Sequence, residues 1–191
     1  MKQIKINEKE ITFIEGWNEI TLGNYIDLIN LYAIKDSIIE DQFMAKFIPM
    51  ISTLTEQDIM SLYPEDMELF MDIICNFQLE KFIKEEKRNF IFPDSELVYT
   101  VVTPNKLTIG ENISLKLLEK SATGVLDSWL NLLSILIRPA SVGVNEFNET
   151  TYTPLPFEGD MDILMKRKEL FKTIPAVNAM WVLEAFTLGR K

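Results

Sequence analysis

Apolar residues alternate with polar ones at the start of the chain: Ile4 and Ile6, then Ile11 and Phe13, flank the polar stretch Asn7-Glu8-Lys9-Glu10. Alternation on both sides of a polar stretch predicts a β-hairpin. The period then lengthens. Leu22, Tyr25, Ile26, Ile29 and Tyr32 recur at helical spacing behind Thr21, whose hydroxyl suits an N-cap. A second helix is expected from about Ser37 to Pro49, and a short third behind Thr55-Glu56-Gln57-Asp58, where Asp replaces the Glu of a capping box. Pro64 suits a first helical turn and Glu65 and Asp66 its positive end, so a longer helix should begin there. Met67, Phe70, Ile74 and Phe77 share its stripe, and the charged end from Lys81 to Arg88 should be solvated.

The pattern then begins again. Phe90-Ile91-Phe92-Pro93-Asp94-Ser95-Glu96 leads into the β-branched and aromatic run Leu97 to Val102, a second hairpin. Thr108 with Glu111 forms a capping box for the helix that follows. A shift of 87 positions lays Asn18, Thr21, Gly23, Ile26, Leu28 and Leu31 on Asn105, Thr108, Gly110, Ile113, Leu115 and Leu118. The same shift aligns the hairpins, with Ile14 on Val101. Farther on, a shift of 111 lays Ile59–Pro64 on Leu170–Pro175, so 111 − 87, or 24, inserted residues reconcile the two.

The insertion falls in Ser141 to Asp160, which carries Gly143, Pro154, Pro156 and Gly159 and reads as a long loop. The expected fold is α+β, mostly α-helical, a tandem pseudo-repeat in which each half is a β-hairpin followed by about three helices. Residues 1–88 form the first repeat and 89–191 the second, with the inserted loop at 141–160, packed as one compact unit. A half of about 90 residues has too thin a core to stand alone. The last helix should run from Pro175 to Leu188, with Val177, Trp181, Ala185 and Leu188 on its inner stripe.

Composition narrows the chemistry. With 191 residues, 47% hydrophobic and 25% charged, the chain is globular. It holds 19 basic and 29 acidic residues and no histidine, a net charge of −10. Such a surface repels phosphate backbones and anionic lipid, so neither nucleic acid nor membrane is an expected partner. Without imidazole the serine and cysteine triads and the usual zinc sites fall away. Acidity is uneven: residues 1–88 carry 9 basic and 17 acidic groups, net −8, against 10 and 12, net −2, in the remainder. The acidic half is suited to meeting a basic partner.

Cys75, the only cysteine, follows Ile73-Ile74 and reads as a buried small hydrophobe. Met1-Lys2-Gln3-Ile4-Lys5 lacks the core of a signal peptide, and the nine-residue run Trp129–Ile137 is too short to span a bilayer. A soluble protein made inside the cell is expected.

Adjacent carboxylates are the first test for catalysis, but Glu40-Asp41, Glu65-Asp66 and Glu85-Glu86 diverge on a helix, and Asp160 and Asp162 fit a helix start. No phosphate loop, dinucleotide fingerprint or calcium loop occurs. The expectation is a non-enzyme without cofactor or metal. Gly23 and Gly110 are read as allowing close packing of a first helical turn. Candidate partner-binding residues are the loop aromatics Phe147, Tyr152 and Phe157 and the basic cluster Lys166-Arg167-Lys168. For both sets, packing within the fold and a solvated helix face are the competing readings.

Trp17-Asn18-Glu19-Ile20-Thr21-Leu22-Gly23-Asn24-Tyr25, with Leu107–Glu111, Ile135-Leu136-Ile137-Arg138-Pro139 and Ile174-Pro175-Ala176, resembles small α-rich morphogenesis proteins of tailed bacteriophages of Bacteroidetes. Tail-assembly chaperones are the nearest in character. The resemblance implies contacts with tail or neck proteins in the host cytoplasm during assembly. It equally allows a neck, connector or tail-ring subunit, packed against copies of itself and retained in the virion. Outside this resemblance stands a third reading, an acidic phage or bacterial adaptor that inhibits a basic target.

Overall fold

The computed structural model describes residues 2–6, 9–63, 66, 70–71, 74–77, 81–92, 95–103 and 106–189. The fold is α+β, and the chain divides into two compact units, 1–83 with 175–177 and 84–174 with 178–191.

In the first unit β1 (Lys2–Ile6) and β2 (Lys9–Phe13) pair antiparallel with Ile4 opposite Ile11, as the alternation predicts. Ile11 and Phe13 lie on the buried face. Helix α1 (Leu22–Ala33) starts at Thr21, whose Oγ1 accepts from Asn24 N at 3.2 Å. Helix α2 (Glu40–Ile51) is tied to it by Asn24 Nδ2, which donates to Met50 O at 3.1 Å. Past α2 the chain returns beside β2: Ile14 N donates to Ile51 O at 2.9 Å and Thr53 N to Thr12 O at 3.0 Å. The short α3 (Glu56–Met60) has a closed capping box, because the Asp58 carboxylate reaches the Thr55 N–H at 2.8 Å. Asp therefore serves where Glu is usual.

Of the longer helix expected from Pro64, Asp66, Phe70, Met71 and Ile74 are helical, while Pro64, Glu65 and Met67 lie outside the described residues. From Phe82 to Arg88 the expected charged helical end instead has no regular secondary structure, and Ile83–Arg88 are exposed. Rings form the core: Phe43 stacks on Phe47 at 5.6 Å, Phe47 meets Phe77 at 6.3 Å, and Phe77 meets Trp17 edge-on at 5.5 Å. Each such pair contributes about 0.5–1.5 kcal/mol beyond its buried area. Pro175–Val177 completes this unit, with Ala176 N donating to Ile20 O at 2.8 Å.

The second unit holds a four-stranded antiparallel sheet in chain order, β3 (Asn89–Ile91), β4 (Val98–Val101), β5 (Ile137–Val144) and β6 (Thr150–Pro154). Between β4 and β5 run α4 (Ile109–Ser121) and α5 (Val125–Leu136); after β6 come α6 (Met161–Phe171) and α7 (Ala176–Gly189), of which this unit takes residues from 178 onward. The capping box of α4 forms as expected, Thr108 Oγ1 accepting from Glu111 N at 3.3 Å. Glu111 has a second role, since its buried carboxylate also accepts from the Arg138 guanidinium on β5. The greasy run Trp129–Ile137 closes α5 and enters the sheet, with Leu133, Ile135, Leu136 and Ile137 buried. In α7 the buried stripe is Ala179, Val182, Leu183 and Phe186, one position off the expected Trp181 and Ala185, which are half-buried.

Two further readings of the fold need correction. Residues 141–160 are not a long loop: most belong to the β5–β6 hairpin, paired from Ala140 opposite Pro154 to Val144 opposite Thr150. Gly110 is exposed, and a Cβ there would meet only Thr108 Oγ1 at 4.0 Å, so close packing is not its role.

Candidate docking surfaces

The first unit carries two adjoining cavities, about 390 and 450 Å³, that share Glu40, Met44 and Met71. Helix α2 supplies Met44, α3 supplies Ile59 and Met60, and Met71 comes from the helical residues that follow. Met60 is 76% exposed and Met71 47%. Unbranched thioether side chains adapt to differently shaped apolar partners, and apolar area left open in this way marks an interaction surface. The rim is acidic. Glu40 and Asp41 occupy the first turn of α2, where the helix dipole favours negative charge, and Asp36 stands at the second cavity. The Lys35 ammonium lies over the Phe43 ring, 5.5 Å from its centroid. An apolar floor with carboxylates at its edge is complementary to an amphipathic segment with basic flanks.

Cys75 lines the second cavity and is exposed, against the expectation of a buried thiol. Its position at the end of the helical stretch, in a short 3-10 turn, moves it off the inner stripe that holds Phe70 and Phe77.

The loop aromatics belong to a different surface. Past Ala140 the β5–β6 hairpin is exposed on both faces over Ser141–Val144. Val142 opposes Tyr152 and Val144 opposes Thr150, so one face is apolar while Ser141, Gly143, Thr151 and Thr153 line the other. At the tip Asn145 Oδ1 accepts from Phe147 N and Glu149 N, each at 2.9 Å, and Asn148 adopts φ 60°. This fixed turn presents Phe147 at 75% exposure; Tyr152 is 37% exposed and Phe157 half-buried. The three expected aromatics thus differ in exposure.

The basic run is split in the same way. Three consecutive residues on a helix point in three directions. Lys166 is exposed, whereas Arg167 and Lys168 are buried, Lys168 Nζ donating to Asp127 Oδ1 at 2.8 Å. That ammonium, and the Thr123 N–H, hold the Asp127 carboxyl below the usual aspartate range, against a smaller opposing effect of burial. Asp160 caps α6, accepting from Asp162 N at 2.8 Å, as its place before the helix suggests.

Comparison with protein-family models, curated proteins and solved structures finds no match. Among the described residues no helix is long and apolar enough to cross a membrane, and no cluster of three or more Cys, Asp or Glu is placed to hold a metal ion.

The groove was missed by sequence reasoning because its parts lie on separate elements. One signal was present: Met44, Met60 and Met71 are three of nine methionines, in the half with net charge −8.

Proposed function

We propose that the protein is a non-enzymatic morphogenesis factor of a tailed bacteriophage, a tail-assembly chaperone that holds an apolar, basically flanked segment of a tail protein in the host cytoplasm until assembly. The observation that carries this reading is the acid-rimmed methionine groove between α2, α3 and Met71. The phage-like segments Trp17–Tyr25 and Leu107–Glu111 support the same class, both as N-terminal capping regions of helices.

A duplicated origin fits this reading. In each unit a hairpin is followed by a threonine-capped helix, a second helix and a chain segment that returns antiparallel beside the hairpin: Ser52 beside Phe13 in one, Ile137 beside Val101 in the other. Later elements differ, with β6 and its turn found in the second unit.

The projecting β5–β6 hairpin favours a second reading, a subunit retained in a neck or tail ring. Among the described residues strand β6 ends the sheet with an open edge, and Val142, Val144 and Phe147 beside it are exposed. Such edges pair with neighbouring chains.

Cross-linking in phage-infected cells, together with mass spectrometry of purified particles, separates these readings. A chaperone is recovered cross-linked through residues 40–71 to a tail protein and is absent from finished particles. Presence in particles, cross-linked to copies of itself through residues 141–153, establishes the ring subunit. Recovery with a basic host protein alone overturns both in favour of an inhibitor.

A further inference from the structure

Arg167 is 5% exposed, yet its guanidinium is poorly matched by the protein around it. Nη1 has no hydrogen-bond partner among the described residues, and Nη2 comes no nearer than 3.6 Å to Glu158 Oε2, on a side chain that is 62% exposed. The neighbouring buried cation is better served, since Arg138 has the buried Glu111 carboxylate. A charge taken out of water without a close counterion is costly. Burial lowers the pKa of Arg167; Tyr99 and Glu158 favour its charged form and Arg138 opposes it. Arginine nonetheless keeps its proton in proteins, so the site retains an under-compensated positive charge.

That charge borders a cavity of about 250 Å³, whose wall also holds Lys166, Tyr99 and Glu158 between the apolar side chains of Leu97 and Leu170. Lys166 brings a second cation and Tyr99 a hydroxyl donor. A guanidinium presents paired N–H groups that match the oxygens of a carboxylate or phosphate. Glu158 marks the same chemistry: it sits on the segment between β6 and α6 and offers one carboxylate oxygen from the solvent side, at a distance longer than a hydrogen bond.

We infer that this cavity is a binding site for a small oxyanion, a phosphate or carboxylate group, which is held by Arg167 and Lys166 and displaces the side chain of Glu158. The site lies wholly in the second unit and does not depend on the groove.

Thermal unfolding and titration calorimetry of the full chain test this, with sodium phosphate and sodium acetate compared against sodium chloride at equal ionic strength. Stabilisation by phosphate above chloride assigns a phosphate-type ligand, and stabilisation by acetate assigns a carboxylate. Arg167→Met, which fills the same space without charge, is expected to abolish the response while raising stability in chloride. Glu158→Gln removes the competing carboxylate and is expected to tighten anion binding about threefold, the scale of an exposed ion pair. Equal melting in all three salts overturns the site, as does an anion response that persists in Arg167→Met. If that variant does not fold, unchanged affinity in Glu158→Gln overturns it.

Discussion

Glu111 closes the cap of α4 and, with the same carboxylate, accepts a hydrogen bond from Arg138 on β5, 27 residues away. One buried side chain thus holds a helix start against the sheet. Replacing it with alanine uncaps the helix and leaves Arg138 without its counterion, a loss expected at roughly 3–5 kcal/mol. Glu111→Gln keeps a capping acceptor and should cost about 1–3 kcal/mol. Replacing both partners by Met is expected to cost less than Glu111→Ala alone, because no charge is then stranded. Urea unfolding of the three variants checks the order.

Asp127 predicts a response to acid. Its hydrogen bond from Lys168 holds the folded-state pKa below that of the unfolded chain. Its contribution to stability is therefore complete above the ordinary aspartate value of about 3.9 and is lost as pH falls through the lower folded value. Asp127→Asn should flatten the acid limb of stability below about pH 4 and leave its slope between pH 5 and 7 unchanged, as read by urea midpoints across that range.

Cys75 offers a direct probe of the groove. Since the thiol is exposed beside Met71, the native protein should react with a thiol reagent nearly as fast as the unfolded chain. A synthetic basic amphipathic helix should slow that reaction, and added salt should restore it. Met60→Glu with Met71→Glu should abolish the protection while changing stability by less than about 0.5 kcal/mol, because both side chains are exposed. Unslowed labelling at saturating peptide speaks against an acid-rimmed docking groove.

The hairpin tip should separate presentation from stability. Phe147→Ala removes an exposed ring and is expected to leave the melting temperature unchanged. Asn145→Ala removes the side-chain acceptor for two backbone N–H groups and should cost about 1 kcal/mol while loosening the turn. Hydrogen exchange at Phe147 and Glu149 reads the difference.

Local rules were legible in the residues and long-range ones were not. Thr21, Thr55 and Thr108 announce their helices because a cap is made within three positions. The alternation around Ile4 and Ile11 gives its hairpin for the same reason. Arg138 could not be paired with Glu111, nor Lys168 with Asp127, because neither partner is near in sequence. The β5–β6 hairpin was hidden by Gly143, Pro154 and a polar turn, although Thr150-Thr151-Tyr152-Thr153 carries the β-branched signature of a strand. At Lys166–Lys168 the run of like residues suggested a patch, whereas the helix turned two of the three inward.

Pro175–Val177 belongs to the unit formed by residues 1–83, although all of residues 84–174 are synthesised in between. On the ribosome, the body that emerges first is therefore completed only after most of the second has been made. Until residue 176 has left the exit tunnel, the Ile20 carbonyl lacks the N–H that meets it in the folded chain. A translational pause or a stop codon shortly before that point leaves the early-made body open to proteases, so damage near the carboxyl end will register as instability at the amino end.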